Sequence, residues 1–127
     1  MAAKKLELDK QHRYPWAVIE TAVHLYLGEG FNYRAVSEKM SELGVVVSHK
    51  TVYEWVQKFS DHVKKTAHKR PVRYSMEESD VTCNGDDFIQ YRAMDSRKKT
   101  LCVYLTKNRN MLGAKRAFKN FLENSAN

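Results

Sequence analysis

Cysteine is scarce in this chain: Cys83 and Cys102 are the only two in 127 residues. Two cysteines cannot build a disulfide framework, and these lack the paired spacing of a zinc site, so a reduced, cytoplasmic protein with no metal ligands and no cofactor is expected. No stretch approaches the roughly 18 apolar residues of a spanning helix. The start, Met1-Ala-Ala-Lys-Lys, is polar and lacks the apolar core of a signal peptide. Neither export nor membrane insertion is expected. Disorder is excluded too, because 43% hydrophobic and 29% charged residues suffice for one modest core or two small ones. What the chain does have is positive charge, +7 formally, which suits an anionic partner such as nucleic acid, a merely solvated lysine surface being the equal alternative. Residues 1–73 carry thirteen Lys and Arg against eight Asp and Glu, a net +5, whereas residues 74–127 carry nine against seven, a net +2. The excess sits in the front half.

That half reads as helical. Pro15 opens a segment in which Trp16, Ile19, Val23, Tyr26 and Leu27 recur at helical spacing, and Gly28 and Gly30 stop it. Asn32 can cap a second helix with Val36, Met40 and Leu43 on one face, broken by Gly44. After the extended Val45–Val47 turn, Ser48 caps a third helix whose Val52, Trp55, Val56 and Phe59 form one buried stripe. Three short helices with a Gly-containing turn before the last describe a helix-turn-helix module.

A recognition helix needs short polar groups near its start and an apolar back that anchors it in the major groove. "SHKTVYEWVQKF" supplies both. Ser48, His49, Lys50, Thr51 and Tyr53 are placed to reach phosphates or base edges, Glu54 and Gln57 to read bases one turn on, and Lys58 lies on the same outward side. Trp55 is expected in the core rather than as a base-stacking platform. The alternative is an ordinary polar face on a three-helix protein-binding module. Beyond Phe59, the helix is expected to continue toward Pro71, carrying Lys64, Lys65, Lys69 and Arg70, which can lie along a phosphate backbone and make affinity salt-dependent.

The back half alternates. Asn84-Gly85 is the signature of a type I′ hairpin, which predicts strands over about 75–83 and 86–94 with paired residue numbers summing to 169. Glu77 then faces Arg92, Val81 faces Phe88, and Asp80 faces Ile89. Leu101, Val103 and Leu105 mark a third strand, and Asn110 can cap a final helix burying Met111, Ala114, Phe118, Phe121 and Leu122.

With these elements in place, "GFNYRAVSEKMSELGVVVSHKTVYEWVQKF", a basic stretch, and "NGDDFIQYRAMDSRKKTLCVYLTKNRNMLGAKRAFKNFL" resemble bacterial insertion-sequence transposases of the DDE type. The resemblance runs from about Trp16 to Leu122, and "YRAMD" with "NG" and "AKRAF" is its most distinctive part. It implies a helix-turn-helix that reads a transposon end, joined to a ribonuclease-H-like domain that uses three carboxylates and two divalent metals. The fold class expected is therefore α+β: an N-terminal three-helix helix-turn-helix domain (1–62), a basic linker (63–73), and a truncated ribonuclease-H-like three-stranded antiparallel meander with one helix (74–127).

Residues 75–95 hold six carboxylates, but the resemblance makes them remains of a catalytic site. The family's tryptophan-x-x-aspartate-glutamate-threonine motif aligns with "YSMEES", which puts Glu77 at the first catalytic aspartate, one methylene longer than in-line metal chemistry wants. The family's other two carboxylates follow a fourth strand and further helices, and this sequence ends before them. Glu77 is thus a vestigial catalytic position, expected to pair with Arg92 across the hairpin, and no catalytic residue is expected. The reading that follows is a non-enzymatic, sequence-specific DNA-binding protein derived from a transposase, most simply a transcriptional regulator. The alternatives are a truncated transposase acting in DNA transposition and an inhibitor that assembles with full-length transposase. Besides double-stranded DNA, the expected partner is a second copy of the chain. The missing fourth strand would leave the first-strand edge unpaired and a face around Val81, Phe88 and Tyr104 incompletely covered, so first strands would pair antiparallel or final helices, through Phe118 and Phe121, would cover each other's sheets, the alternative being that Glu78 and Asp80 guard the edge against pairing.

Overall fold

The computed structural model describes residues 14–63 and 73–125, with side chains described as far as Phe121. Three helices come first: α1 (Trp16–Leu27), α2 (Tyr33–Leu43) and α3 (His49–Phe59). Each boundary has a local cause. Pro15 precedes α1 in an extended conformation, the Asn32 carboxamide accepts the Ala35 N–H at 2.8 Å at the start of α2, and the Ser48 hydroxyl accepts the Thr51 N–H at 3.1 Å at the start of α3. These caps satisfy amide donors that the first turn of a helix leaves unpaired. Val36, Met40, Val52, Trp55 and Val56 interlock with Val18, Ile19, Ala22 and Val23 in one apolar core. Trp55 is fully buried, edge-on to Tyr14, as a core residue should be.

α3 does not run on as its sequence suggested. It ends at Phe59 and tightens into a single 3₁₀ turn, Ser60–His62, where Trp16 and His62 both pack edge-on against the Phe59 ring. The basic residues Lys64, Lys65, Lys69 and Arg70 lie outside the described residues.

Three antiparallel strands follow in sequential order, β1 (Ser75–Cys83), β2 (Asp86–Met94) and β3 (Thr100–Thr106), then α4 (Met111–Ser125). The β1–β2 register runs from Ser75 opposite Met94 to Cys83 opposite Asp86, with Glu77 opposite Arg92, as the two-residue loop dictated. Asn84 (φ 51°) and Gly85 (φ 87°) both take the positive φ that a type I′ turn requires. The arrangement is an α+β fold whose strand–helix order is that of a truncated ribonuclease-H-like domain.

β2 and β3 are covered on both faces, whereas β1 is buried only at Val81 and Cys83. On one face, Ile89, Tyr91 and Ala93 pack beneath Ala114 and Phe118 of α4. Asn110 starts α4 twice over, its carboxamide accepting the Gly113 N–H at 2.9 Å while its own N–H donates to the Tyr91 hydroxyl at 3.0 Å. Phe118 is thus buried within its own chain, so helix exchange is not required to cover it. Met111 departs from expectation: it stands about half exposed beside a still more exposed Leu112, because the covering face of α4 begins only at Ala114. Leu122 lies beyond the described side chains. Tyr104 pairs with Tyr91 on this same face.

The opposite face was expected to be open around Val81 and Phe88. It is not: Val81, Cys83, Phe88 and Leu105 belong to the core of the three helices. α1 lies across the sheet and buries polar groups there with partners. The Arg92 guanidinium donates to both Glu20 carboxylate oxygens at 2.7 Å, and also to Thr100 Oγ1 at 2.6 Å and Gln90 Oε1 at 3.2 Å. Gln90 Nε2 in turn donates to the Ala17 carbonyl and Thr21 Oγ1, both at 3.2 Å. The expected Glu77–Arg92 pair is therefore corrected. Although the two residues are register partners, Glu77 is exposed, and a buried carboxylate from another element captures the planar fork in two parallel bonds that an exposed one cannot match.

The Tyr91 hydroxyl offers a direct test. Tyr91→Phe keeps the buried ring and removes only the acceptor of the Asn110 N–H, so it should lower unfolding free energy by about 1 kcal/mol. Denaturant titration measures the loss, and hydrogen exchange should place it at the start of α4. An unchanged midpoint would mean that this bond does not set the helix start.

Candidate nucleic-acid interface

The turn between α2 and α3 is held from three sides. Gly44 adopts φ 108° and donates its N–H back to α2, and Val45 N–H reaches the Met40 carbonyl at 2.8 Å, a left-handed helix ending that favours glycine. The Ser37 hydroxyl donates to the Val47 carbonyl at 2.6 Å, and the Tyr14 hydroxyl to the Val46 carbonyl at 2.8 Å. These bonds leave Val46 at the exposed tip and fix the angle at which α3 leaves the turn. Lys107, just past β3, packs its stem beside Gly44 while its ammonium lies 4.0 Å from Asp86 and over the Phe88 ring. The turn therefore rests on the sheet.

α3 divides cleanly. Val52, Trp55, Val56 and Phe59 are buried, while His49, Lys50, Tyr53, Glu54 and Gln57 are exposed, and their spacing places those five on one side of the helix. Ser48 and Thr51 are less available than their sequence positions suggested. The Ser48 hydroxyl donates to Thr51 Oγ1 at 3.1 Å while it caps the helix, and Thr51 is half-buried. Lys58 is exposed at the far end of α3, its ammonium 5.5 Å from the Phe59 ring centre, away from the helix start.

Two features escaped sequence reasoning. Tyr26 and Tyr33 stack at 4.6 Å with nearly parallel rings, and Tyr53 meets Tyr33 edge-on at 5.2 Å. Hydrogen bonding to Tyr26 pushes the Tyr33 phenol up, and a hydrogen bond with Gln57 acts in the opposite direction. This cluster braces Tyr53 and Gln57 from behind, yet its members come from three helices and no single-helix periodicity reveals it. The second is Arg34, exposed on α2, the helix that crosses the phosphate backbone in helix-turn-helix docking.

The carboxylates of residues 75–95 do not converge. Glu77 and Glu78 point to opposite faces of β1 as strand neighbours must. Glu78 pairs with Arg109, whose guanidinium also lies 4.0 Å from Asp80. Asp95 accepts the Arg97 and Lys99 N–H groups at 2.8 and 2.9 Å, bonds that hold its carboxyl below the ordinary range, Lys99 contributing most. "YRAMD" is thereby accounted for structurally: Tyr91 receives the start of α4, Arg92 forks to Glu20, Ala93 is fully buried, and Asp95 shapes the loop to β3. Among the described residues, Glu77 belongs to no group of three metal-ligating side chains.

Residues 71–127, the strands and α4, match the family model described as a DDE domain. The chain is related to insertion-sequence transposases. It is 36% identical over 112 residues to the transposase for insertion sequence-like element IS431mec of Staphylococcus aureus strains Mu50 and N315, covering 82% of this chain and 50% of theirs. It is 35% identical, with the same coverage, to the transposase for insertion sequence element IS257 in transposon Tn4003 of Staphylococcus aureus. The chain spans about half the length of these relatives. No solved structure matches it. No helix among the described residues is long and apolar enough to cross a membrane.

The turn is the part of this surface most sensitive to a single methyl. In Gly44→Ala a side chain must adopt φ 108°, and its Cβ would meet Lys107 Cε at 2.9 Å. Lys107 can swing away, so the backbone term dominates, and a loss of about 1–2 kcal/mol in unfolding free energy is expected. Thermal or denaturant unfolding checks it, and a neutral substitution would show that the turn relaxes into another conformation.

Proposed function

We propose that this chain is a sequence-specific duplex-DNA-binding protein of transposase descent that acts by occupying its site, as a transcriptional regulator does, rather than by cutting DNA. One observation carries the reading: α3 buries its whole apolar side and presents His49, Lys50, Tyr53, Glu54 and Gln57 together on an outward side. Lys50 near the amino-terminal end of α3 suits phosphate, since the helix dipole and unpaired N–H groups favour an anion there. Glu54, Gln57 and His49 offer the acceptors and donors that read base edges. Lys64, Lys65, Lys69 and Arg70 of the 63–73 segment would add backbone contacts outside the reading head, and Arg34 one more across the turn.

Two features support the absence of strand-cleaving chemistry in these residues. Glu77, which the resemblance places at the family's aspartate position with a longer side chain, stands exposed, and among the described residues it belongs to no group of three metal-ligating side chains. Two-metal catalysis requires several carboxylates converging on ions about 4 Å apart. The relatives being transposases supports a second reading, in which the same head recognises a transposon end, alone or in mixed assembly with a full-length transposase. Pairing of two copies along the exposed β1 edge would serve either reading by placing two α3 helices on a palindromic site.

Selection of bound genomic fragments by the purified chain, followed by titration across salt, tests the proposal. Specific binding that weakens steeply with salt is expected. Replacing His49, Lys50, Glu54 and Gln57 together by Ala should flatten sequence preference, each lost base contact being worth about 1–3 kcal/mol of discrimination. Unaltered specificity in that variant would refute this reading face. In the same binding reactions Mg²⁺ or Mn²⁺ should produce no cleavage, and nicking abolished by Glu77→Ala would refute the non-enzymatic reading.

A further inference from the structure

Away from α3, three side chains from distant parts of the chain converge where α1 ends against β3. His24 Nε2 lies 3.5 Å from Cys102 Sγ and 3.7 Å from Glu29 Oε2. The three ligand atoms all fall within 4.8 Å of one another. Cys102 is almost fully buried and His24 nearly so, while Glu29 closes the outer side from the turn after α1 and is partly open to water. The Phe121 ring stands 5.1 Å from the imidazole and walls the pocket with an apolar surface. Gly28 fences the other side: a Cβ there would come within 2.9 Å of His24 Cε1, so the ring's position depends on that glycine.

We propose that His24, Glu29 and Cys102 form a transition-metal site of the zinc class that clamps the end of α1 to β3. Tetrahedral zinc, with bonds of about 2.3 Å to sulfur and about 2.0–2.1 Å to nitrogen and oxygen, sets sulfur and nitrogen ligands about 3.6 Å apart and nitrogen and oxygen about 3.4 Å apart. The His24–Cys102 and His24–Glu29 separations of 3.5 and 3.7 Å lie near those values, and the partly exposed Glu29 side chain can swing to close its distance to Cys102, which is within 4.8 Å. One imidazole, one thiolate and one carboxylate make a borderline-soft set that selects zinc or cobalt over magnesium and calcium, which prefer oxygen alone. A water completes the fourth corner on the open Glu29 side. Binding displaces the Cys102 thiol proton to solvent as the sulfur–metal bond forms, so the dication meets two anionic ligands and one neutral one. Motif spacing gives no warning of such a site, because Cys102 lies 78 positions from His24. Its consequence is mechanical: the helices and the sheet already share Arg92 and Glu20, and the metal fastens them at a second point, one turn further along α1 toward its carboxyl-terminal end.

Titration of the full-length, metal-free chain with Co²⁺ tests the site optically. The expected result is a thiolate-to-cobalt charge-transfer band in the near ultraviolet with tetrahedral-type visible absorption, displaced by Zn²⁺. The band should survive Cys83→Ala and vanish in Cys102→Ala. Glu29→Gln, at a partly exposed position that does not threaten the core, should weaken Co²⁺ binding at least about tenfold, the scale seen even for groups one step removed from a metal. Absence of a thiolate band in the parent chain, its survival in Cys102→Ala, or unchanged affinity in Glu29→Gln would each overturn the proposal.

Discussion

The Arg92 guanidinium lies where the helical bundle meets the sheet, and the rest of the architecture is arranged around keeping it paired. Glu20 is almost fully buried on α1, a position that a carboxylate occupies only with a cation beside it. Arg92 meets it with two parallel bonds, Thr100 and Gln90 take up further donors, and the carboxylate raises the guanidinium's already high pKa. Satisfying this network requires α1 to lie at one rotation and one height on the sheet. That placement lets Val81, Phe88 and Leu105 complete the core built by Val18, Ile19, Trp55 and their neighbours.

A consequence is that the surface of α3 is positioned by residues that face away from it. Trp55 and Phe59 hold α3 to α1, Tyr14 and Ser37 pin the turn, and Lys107 packs against Gly44 from beyond β3. Of the outward residues on α3, Tyr53 shares in that work through Tyr33, whereas His49, Lys50 and Glu54 are exposed outside the apolar core. This separation of a rigid scaffold from an adaptable surface is what helix-turn-helix recognition demands. None of the residues of "YRAMD" lies on α3. The motif sets how the three helices are mounted on the sheet.

Local elements were legible in the sequence because local rules determine them. Asn32 and Ser48 cap as their residue types predict, the Asn84-Gly85 turn fixes every pair of the first hairpin, and the buried stripe of α3 follows from helical spacing. What the sequence hid was tertiary. An arginine opposite a glutamate on a hairpin looks like a pair, and nothing within the hairpin shows that Glu20, 72 positions earlier, reaches the same fork first. Met111 looked like part of an apolar helix face, but the Asn110 cap sets the phase so that coverage starts at Ala114. The tyrosine cluster behind Tyr53 and the gathering of His24, Glu29 and Cys102 were hidden for the same reason, each being assembled from separate elements.

Whether the Glu20–Arg92 ion pair unites the three helices and the sheet is tested most directly by a double-mutant cycle on the two residues, using Glu20→Gln, Arg92→Met and the combination, followed by denaturant unfolding. Removing either partner strands a poorly solvated charge, a cost near the low end of the roughly 3–5 kcal/mol range because Arg92 keeps 23% of its side chain exposed. A coupling energy of about 2 kcal/mol or more and a single unfolding transition reported alike by helix and sheet probes are expected. Additive losses within about 0.5 kcal/mol, or helices and sheet melting separately in the parent chain, would contradict that role for the ion pair.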